Sequence, residues 1–258
     1  MTFSKIRVVG QRECEQCGSN VNIIETVKDN ETVRVSECLN CENEKVQKEA
    51  IAFKKRMDQR RSEMIFEKYS LIPSDLLNAS FENYDPKNQT QAMAKRECQQ
   101  YVKQFGDNEN KGFLLQGSYG IGKSHLSYSI AKSLKDKGYT VIFITMPELL
   151  NVLRDSYGKS EHSEIDILEA CKNADLLILD DLGAEYVKTD SGNESWAVDK
   201  LFQIINARLD KAVIYTTNLS STKLKEKYGT YGGRIVSRMM NGTKVLKMMG
   251  KDQRVKGW

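Results

Sequence analysis

Short apolar runs alternate with amphipathic segments through the second half of the chain. Each run holds four to six apolar residues and is followed by a stretch with helix-forming composition. Runs of this length, separated by helices, are typical of a parallel sheet that is covered by helices on both faces. The predicted strands are GFLLQG, YTVIFIT, ADLLILDDLG and AVIYTTN, and the predicted helices cover about residues 88–105, 123–137 and 194–209, with another after Pro147.

The N-terminal part follows a different pattern. Residues 1–43 hold two Cys pairs and a β-rich middle in which alternating apolar residues flank Asp29 and Asn30, a pair that favours a hairpin turn. Residues 44–69 are strongly charged and contain no Gly or Pro, which predicts one long helix with a narrow apolar stripe. We therefore predict an N-terminal module (1–43), a helical linker (44–71) and an α/β domain (72–258).

Composition and charge fit a folded, polar protein. The 258 residues are 40% hydrophobic and 29% charged, and the net charge is +4. The charge is uneven, because residues 222–258 hold ten Lys or Arg against two acidic residues, a net +8. Such a basic end can contact the phosphates of a nucleotide or a nucleic acid, or it can be a solvated surface. Both interpretations stay open at this point.

Neither a membrane span nor a secretory signal is predicted. No stretch reaches 18 apolar residues, and the first residues lack the apolar core of a signal peptide. We therefore expect a cytoplasmic protein, whose six cysteines are not paired as disulfides.

A phosphate-binding loop is the strongest chemical signal. Residues 114–127 read LLQGSYGIGKSHLS and fit the pattern G-x-x-x-x-G-K-S between a strand and a helix. Glycines let backbone N–H groups surround an anion, and the helix N-terminus adds partial positive charge. Lys123 is predicted to reach the β- and γ-phosphates of a nucleotide, and Ser124 to bind Mg²⁺. The candidate nucleotide-binding residues are Gly117, Ser118, Tyr119, Gly120, Ile121, Gly122, Lys123, Ser124 and His125, although a structural role is favoured for His125.

Polar side chains end two further predicted strands. Asp180 and Asp181 follow the apolar run LLIL, at the strand end where open α/β sheets bind ligands. Asp180 is predicted to hold Mg²⁺, and Asp181 to orient or deprotonate the attacking water. Asn218 ends AVIYTTN and is predicted to hold that water or to sense the γ-phosphate. Helix capping by the aspartates and a turn at Asn218 are the structural alternatives.

Two arginines lie on a predicted helix within GGRIVSRM. Arg234 and Arg238 are four residues apart and therefore share one helix face. An arginine offered to a neighbouring subunit would stabilise charge on the transferred phosphate. The spacing alone favours two solvated arginines.

Four cysteines predict a zinc site. Cys14, Cys17, Cys38 and Cys41 form two C-x2-C pairs, a spacing that fits four thiolate ligands around Zn²⁺. The alternative is a redox dithiol, but such motifs use one pair. Cys98 and Cys171 are predicted to be ordinary helix residues, and His162 to lie in a solvated loop.

The sequence resembles the helicase loaders of the DnaC and DnaI type within the AAA+ ATPases. The resemblance covers about residues 72–249 and rests on SFENYDP, LLQGSYGIGKSHL, ADLLILDDLGAE, YTTNLS and RIVSRM, in the family's order. It implies a P-loop AAA+ domain without a full helical lid, preceded by a zinc-ribbon-like module and a linking helix.

The resemblance also implies a function. Such proteins use ATP and Mg²⁺ to assemble on a hexameric replicative helicase and to place it around single-stranded DNA, with the N-terminal module holding the helicase. It matches Arg238 to the trans-acting arginine, with Arg234 as its neighbour, Asn218 to the sensor position, and Phe81 and Tyr84 to a segment near adenine. Asp181 stands where many AAA+ proteins have Glu, so slow hydrolysis is expected.

Other functions are possible for a protein with these motifs, and the sequence favours helicase loading over each of them. The ATPase subunit of a DNA transposition system has a similar domain, and the N-terminal cysteine module favours the loader. A small GTPase would need the guanine-reading motif N-K-x-D, which is missing, and a kinase would need a substrate lid. A zinc-ribbon DNA-binding protein without hydrolysis would not need the phosphate loop and its carboxylates.

Overall fold

The structure is a computed structural model that describes residues 7–28, 31–107, 112–156, 163–187 and 195–254. The chain divides into two compact units, Met1–Met57 and Asp58–Trp258, which are described separately. The predicted turn at Asp29 and Asn30 and the predicted solvated His162 lie outside the described residues.

The first unit contains a small antiparallel sheet. Its strands are β1 (Arg7–Glu13), β2 (Asn20–Lys28) and β3 (Glu31–Val35), in the order β1-β2-β3. Lys28 pairs with Glu31 and Ile24 with Val35, so the pairing of the predicted hairpin is confirmed. Strand β1 was not predicted, because its residues are almost all exposed and carry no hydrophobic alternation.

A long helix, α1 (Leu39–Tyr69), follows this sheet. It begins five residues before the predicted start at residue 44, so that boundary was wrong. No Gly or Pro interrupts the residues after Cys38, and the Glu42 N–H donates to the Cys38 carbonyl at 2.9 Å, which starts the helix there. In the second unit, the buried Ser62 hydroxyl of α1 donates to the Tyr139 carbonyl at 2.5 Å.

The second unit is built on a parallel sheet, as predicted, and this sheet has five strands. Its strands are β4 (Gly112–Gln116), β5 (Val141–Thr145), β6 (Leu176–Leu182), β7 (Ala212–Thr217) and β8 (Thr243–Lys247), in the order β5-β6-β7-β4-β8. Strand β7 therefore lies between β4 and β6, which brings their carboxyl ends together. The edge strand β8 was not predicted, because TKVLK is short and carries two lysines.

Helices cover both faces of this sheet. They are α2 (Gln89–Lys103), α3 (Lys123–Asp136), α4 (Met146–Asp155), α5 (Glu164–Asn173), α6 (Trp196–Ala207), α7 (Ser221–Lys227) and α8 (Gly232–Met240). Alternate residues of β6 enter two different apolar clusters: Leu177 and Leu179 lie in one, Leu176 and Ile178 in the other. The continuous apolar runs are thus explained by a sheet buried on both faces. Helices α5 and α7 were not predicted, since the apolar residues of α5 form a weaker stripe than those of α4, and α7 has only seven residues, four of them charged.

A fully buried arginine joins three elements of this unit. The guanidinium of Arg208, 2% exposed, donates to the carbonyls of Cys171, Lys172, Ala174 and Asp175 at the end of α5, and to that of Ala212 at the start of β7. It therefore satisfies carbonyls that the end of a helix leaves unpaired.

Across the described ranges, no helix is both long enough and apolar enough to span a bilayer.

Candidate nucleotide-binding site and cysteine cluster

The predicted phosphate loop lies between β4 and α3. Gly120 has φ 64° and Gly122 φ 89°, values that favour glycine. A Cβ at Gly122 would come 2.4 Å from Cε2 of Tyr84, so the loop passes directly against that ring. Helix α3 begins at Lys123, with its first N–H groups at the loop. The loop therefore presents a helix N-terminus to the space above the sheet, as an anion site requires.

Lys123 points into this space from the start of α3. Its side chain is 5% exposed, and Nζ donates to the Ser118 carbonyl at 2.7 Å and to Oδ1 of Asn218 at 2.6 Å. Burial lowers the pKa of Lys123, while the charges of Asp181 and Asp180 act in the opposite direction. The predicted loop lysine and the predicted sensor amide are thus in direct contact.

Asp180 is buried at the carboxyl end of β6. Its Oδ1 accepts a hydrogen bond from the Thr216 hydroxyl at 2.7 Å. Burial raises the pKa of Asp180 to about 6, opposed by the hydrogen bonds from Thr216 and Ser124. The hydroxyl of Ser124 and the carboxylate of Asp180 therefore lie together. Such a pair of oxygen ligands fits Mg²⁺, which is bound by few protein groups together with nucleotide phosphates.

Asp181 adopts an unusual backbone conformation. It has φ 53°, and it is the one non-glycine residue with positive φ among those that the structure describes. Its N–H donates to the Thr216 hydroxyl at 2.9 Å, so one threonine of β7 contacts both aspartates. Asp tolerates this region better than most residues, and such strain is common in functional sites.

These groups line one pocket of about 600 Å³ in the second unit. Its walls include the predicted Tyr119, Gly120, Gly122, Lys123, Ser124, His125, Asp180, Asp181 and Asn218. Sequence reasoning missed Asp75, Lys87, Thr145, Gln253 and Arg254, which also line it. Arg254 adds a positive charge close enough to lower the pKa of Lys123.

The segment after β8, residues 248–254, packs against the outer side of the phosphate loop. The Gln253 N–H donates to the Gly120 carbonyl at 3.0 Å, and the Ser118 hydroxyl donates to the Gly250 carbonyl at 3.2 Å. A Cβ at Gly120 would come 1.6 Å from Oδ1 of Asp252. The backbone conformation of Gly120 therefore favours glycine, and a Cβ there would also displace the Asp252 carboxylate.

Two aromatic residues that the resemblance places near adenine have different positions. Both are buried in the same apolar cluster, but Tyr84 also lines the pocket and donates to the Ile121 carbonyl at 3.3 Å. His125 lies edge-on to Tyr84, with ring centroids 5.2 Å apart, and its Nε2 is 2.8 Å from the Ser80 carbonyl. These contacts agree with the structural role favoured for His125.

The two candidate arginines do not line their own chain's pocket. Arg238 is half-buried on α8, and its guanidinium carbon lies 4.5 Å from the centroid of the Phe202 ring. Arg234 is exposed, 5.9 Å from the centroid of Tyr231. Neither arginine is therefore brought to Lys123 within one chain.

The four predicted cysteines form one cluster in the first unit. Their sulfur atoms all lie within 4.8 Å of one another, with Cys14 and Cys41 3.6 Å apart and Cys17 and Cys38 3.5 Å apart. A tetrahedral zinc with Zn–S bonds of about 2.3 Å needs sulfur atoms about 3.8 Å apart, so the donor set fits the metal.

The two Cys pairs are held in different ways. The first is a tight turn, in which the Gly18 N–H donates to the Cys14 carbonyl at 2.8 Å and Gly18 has φ 70°. The second spans the start of α1, with Cys38 directly before the helix and Cys41 in its first turn. The two pairs therefore differ in backbone conformation, because the helix begins at Leu39.

This fold and pocket define a nucleotide-binding domain of the AAA+ ATPase class. After β7, the part of the chain that the structure describes holds only α7, α8, β8 and residues 248–254, without a separate helical lid. The model of the IstB-like ATP-binding proteins matches residues 40–257. The chain therefore belongs to this family.

Curated relatives and solved structures agree with this assignment. The replicative helicase loader DnaC of Escherichia coli (strain K12) is 30% identical over 175 residues, 68% of this chain and 68% of the relative. The replicative helicase loader DnaI of Bacillus subtilis (strain 168) is 24% identical and covers 78% of this chain and 66% of the relative. The crystal structure of the DnaC helicase loader superposes with a TM-score of 0.59 at 28% identity, covering 68% of this chain and 99% of that chain. The predicted resemblance is confirmed.

Proposed function

We propose that this protein is an ATP-dependent loader that binds a hexameric replicative helicase and places it on single-stranded DNA. The observation that carries the proposal is the similarity over 68% of both chains to a protein named a replicative helicase loader. The transposition ATPase is not favoured, because the curated relatives reported above are helicase loaders.

Within the pocket, Lys123 would bind the β- and γ-phosphates, and Ser124 and Asp180 would hold Mg²⁺. Bound Mg²⁺ would neutralise charge on the phosphates. Asp181 would orient the attacking water, and Asn218, which contacts Lys123 at 2.6 Å, would detect the γ-phosphate. We propose slow hydrolysis that assembly or DNA stimulates, since the aspartate side chain is one methylene shorter than the glutamate at this position in many AAA+ proteins.

Self-association would complete the site. Arg238 lies outside its own pocket, on Phe202 of α6, and would reach the nucleotide of a neighbouring copy. An arginine supplied in this way stabilises charge that develops on the transferred phosphate. Arg234, one turn away and exposed, is the alternative donor.

The N-terminal module (1–43) and the helical linker (44–71) would form the helicase-binding part, ahead of the ATPase domain (72–258). Zinc on the four cysteines would hold the module's sheet to the start of α1. Ile51 and Phe53 of α1 are 69% and 58% exposed, which leaves apolar surface for a protein partner.

Single-stranded DNA would contact the basic C-terminal part. Lys223 and Lys225 of α7 are exposed, as are Lys247 and Lys251, whereas Lys244 is paired with Glu97 at 2.8 Å. Backbone contacts of this kind make DNA binding fall steeply with salt.

The experiment is a transfer assay with the full chain. A hexameric replicative helicase and closed circular single-stranded DNA are mixed with ATP, and the helicase retained on the circles is measured. The chain should increase retention, Lys123→Ala should abolish the increase, and Lys132→Ala, an exposed lysine of the same helix, should not. Capture of a transposase on the immobilised chain, with no helicase transferred, would overturn the proposal.

A further inference from the structure

Glu185 is a buried carboxylate that the proposed chemistry does not use. It lies in the turn after β6, is 3% exposed, and accepts two hydrogen bonds, from the Gly183 N–H at 2.9 Å and from the Tyr228 hydroxyl at 2.6 Å. No Lys or Arg within the described ranges forms an ion pair with it. A buried carboxylate without a cation is costly unless its hydrogen bonds are made. Both donors are therefore held in place together.

The first donor belongs to the turn that carries Asp181. The Ala184 N–H donates to the Asp181 carbonyl at 3.0 Å, which closes the turn. Gly183 has φ 94°, and a Cβ there would come 2.7 Å from Cδ1 of Leu219. Because the turn is closed and tightly packed, its shape and the position of Glu185 are linked.

The second donor, Tyr228, lies just before the N-terminus of helix α8. Tyr228 is 3% exposed and follows α7, and a 3-10 turn, Gly229–Tyr231, connects it to α8. A Cβ at Gly232 would come 2.1 Å from the Lys225 carbonyl, so α8 begins in direct contact with α7. Burial, reinforced by Glu185, raises the pKa of Tyr228, so its hydroxyl remains a donor.

We infer that Glu185 is a positioning residue that joins the Asp181 turn to helix α8 and so orients Arg238 toward the nucleotide of a neighbouring copy. This inference rests on the proposed self-association. When the hydrogen bond from Tyr228 to Glu185 is lost, helix α8 is no longer joined to the turn that carries Asp181 in its own pocket. The rate at the neighbouring site should then fall, while the nucleotide affinity of the chain's own site should not change.

Mixed assemblies isolate this effect. Asp181→Asn subunits lose the proposed water-orienting carboxylate, keep the phosphate loop that binds ATP, and still offer Arg238, whereas Arg238→Ala subunits keep a complete pocket. Mixing the two should restore phosphate release, which each lacks alone. Tyr228→Phe is then added to the Asp181→Asn subunit, which should not hydrolyse ATP itself. If the mixture then releases phosphate more slowly, the cause is the arginine that this subunit offers to its neighbour.

We expect the turnover number of the mixture to fall about fivefold with Tyr228→Phe. The matched control is Tyr139→Phe, which removes a tyrosine hydroxyl that donates to the Phe105 carbonyl at 3.3 Å, elsewhere in the same unit. In an otherwise unchanged chain, Tyr228→Phe should leave the affinity for a fluorescent ATP analogue within about twofold, which also shows that the variant is folded.

The outcomes separate the two proposals. If Asp181→Asn and Arg238→Ala subunits do not restore each other, Arg238 does not act in trans, and the self-association and this inference both fall. If they do restore each other and Tyr228→Phe matches the Tyr139→Phe control, only the role of Glu185 is overturned. A Tyr228→Phe variant that loses ATP affinity in its own pocket would also overturn it.

Discussion

Replacing Asp180 with Asn should stabilise the nucleotide-free protein at pH 8. Burial raises the pKa of this carboxyl to about 6 from an ordinary value near 3.8. A difference of about two pH units corresponds to about 3 kcal/mol that the ionised carboxylate costs the folded state. An amide has no charge to bury, and its oxygen can still accept the hydrogen bond from Thr216. The midpoint of thermal unfolding should therefore rise, by about 6 to 12 °C.

The stabilisation by Asp180→Asn should depend on pH, because Asp180 is ionised at pH 8 and partly protonated in the folded protein at pH 5. As the pH falls through about 6, Asp180 takes up a proton in the folded state but not yet in the unfolded state, which stabilises the unsubstituted protein. The difference in unfolding midpoint between Asp180→Asn and the unsubstituted protein should therefore be smaller at pH 5 than at pH 8. Thermal unfolding is followed by circular dichroism and tryptophan fluorescence at both pH values. Asp155→Asn, which removes an exposed carboxylate from α4, is the control and should change the midpoint little.

Mg²⁺ and ATP should narrow the difference in stability between the two proteins. The unsubstituted chain should gain about 2.7 kcal/mol at a ligand concentration 100 times the dissociation constant. The variant should lose the Mg²⁺-dependent part of that gain. Equal unfolding midpoints of the two nucleotide-free proteins at pH 8, or an advantage that stays the same at pH 5, would refute the argument from burial.

Four further substitutions test separate parts of the structure. Lys123→Ala should reduce ATP affinity at least about 100-fold by calorimetry, since the buried ammonium group that would bind the phosphates is lost. Gly122→Ala should reduce ATP affinity about tenfold, because a Cβ would approach the Tyr84 ring to 2.4 Å at a φ of 89°. Cys38→Ser should lower bound zinc from one ion per chain toward none by metal analysis, since one of the four thiolates is lost. Arg208→Met should lower the free energy of unfolding by about 3 kcal/mol in urea, because buried carbonyls lose their donor.

Each substitution has a result that would contradict it, and Arg208→Met also has a control variant. Unchanged ATP affinity in Lys123→Ala or Gly122→Ala would remove the phosphate-loop assignment. Full zinc content in Cys38→Ser would exclude a site that needs four thiolates. Lys211→Met removes an exposed cation that also contacts the Lys172 carbonyl, at 2.6 Å, and should cost little. A loss in Arg208→Met no larger than that control would contradict the structural role of the buried guanidinium.

The sequence predicted those features that depend on local patterns. Four strands of the parallel sheet were predicted because they are continuous apolar runs, and the phosphate loop because its glycines and lysine have fixed spacing. Strand β8 and helices α5 and α7 were missed, since their few apolar residues form neither a continuous run nor a clear helical stripe. Arg254 was missed for a different reason: no local pattern shows that β8 returns the chain to the phosphate loop. Asp180 and Asp181 were found, but their shared contact with Thr216 depends on strand order.

The contact between the phosphate loop and residues 248–254 has a consequence for synthesis of the protein. Ser118 and its partner Gly250 are 132 residues apart in sequence. At about 5 to 20 residues per second, a ribosome adds the second roughly 7 to 26 s after the first. During that interval the nascent chain holds the complete phosphate-loop motif without the segment that supports it. ATP should therefore bind only after the whole sheet has formed. ATP binding cannot then assist the early steps of folding.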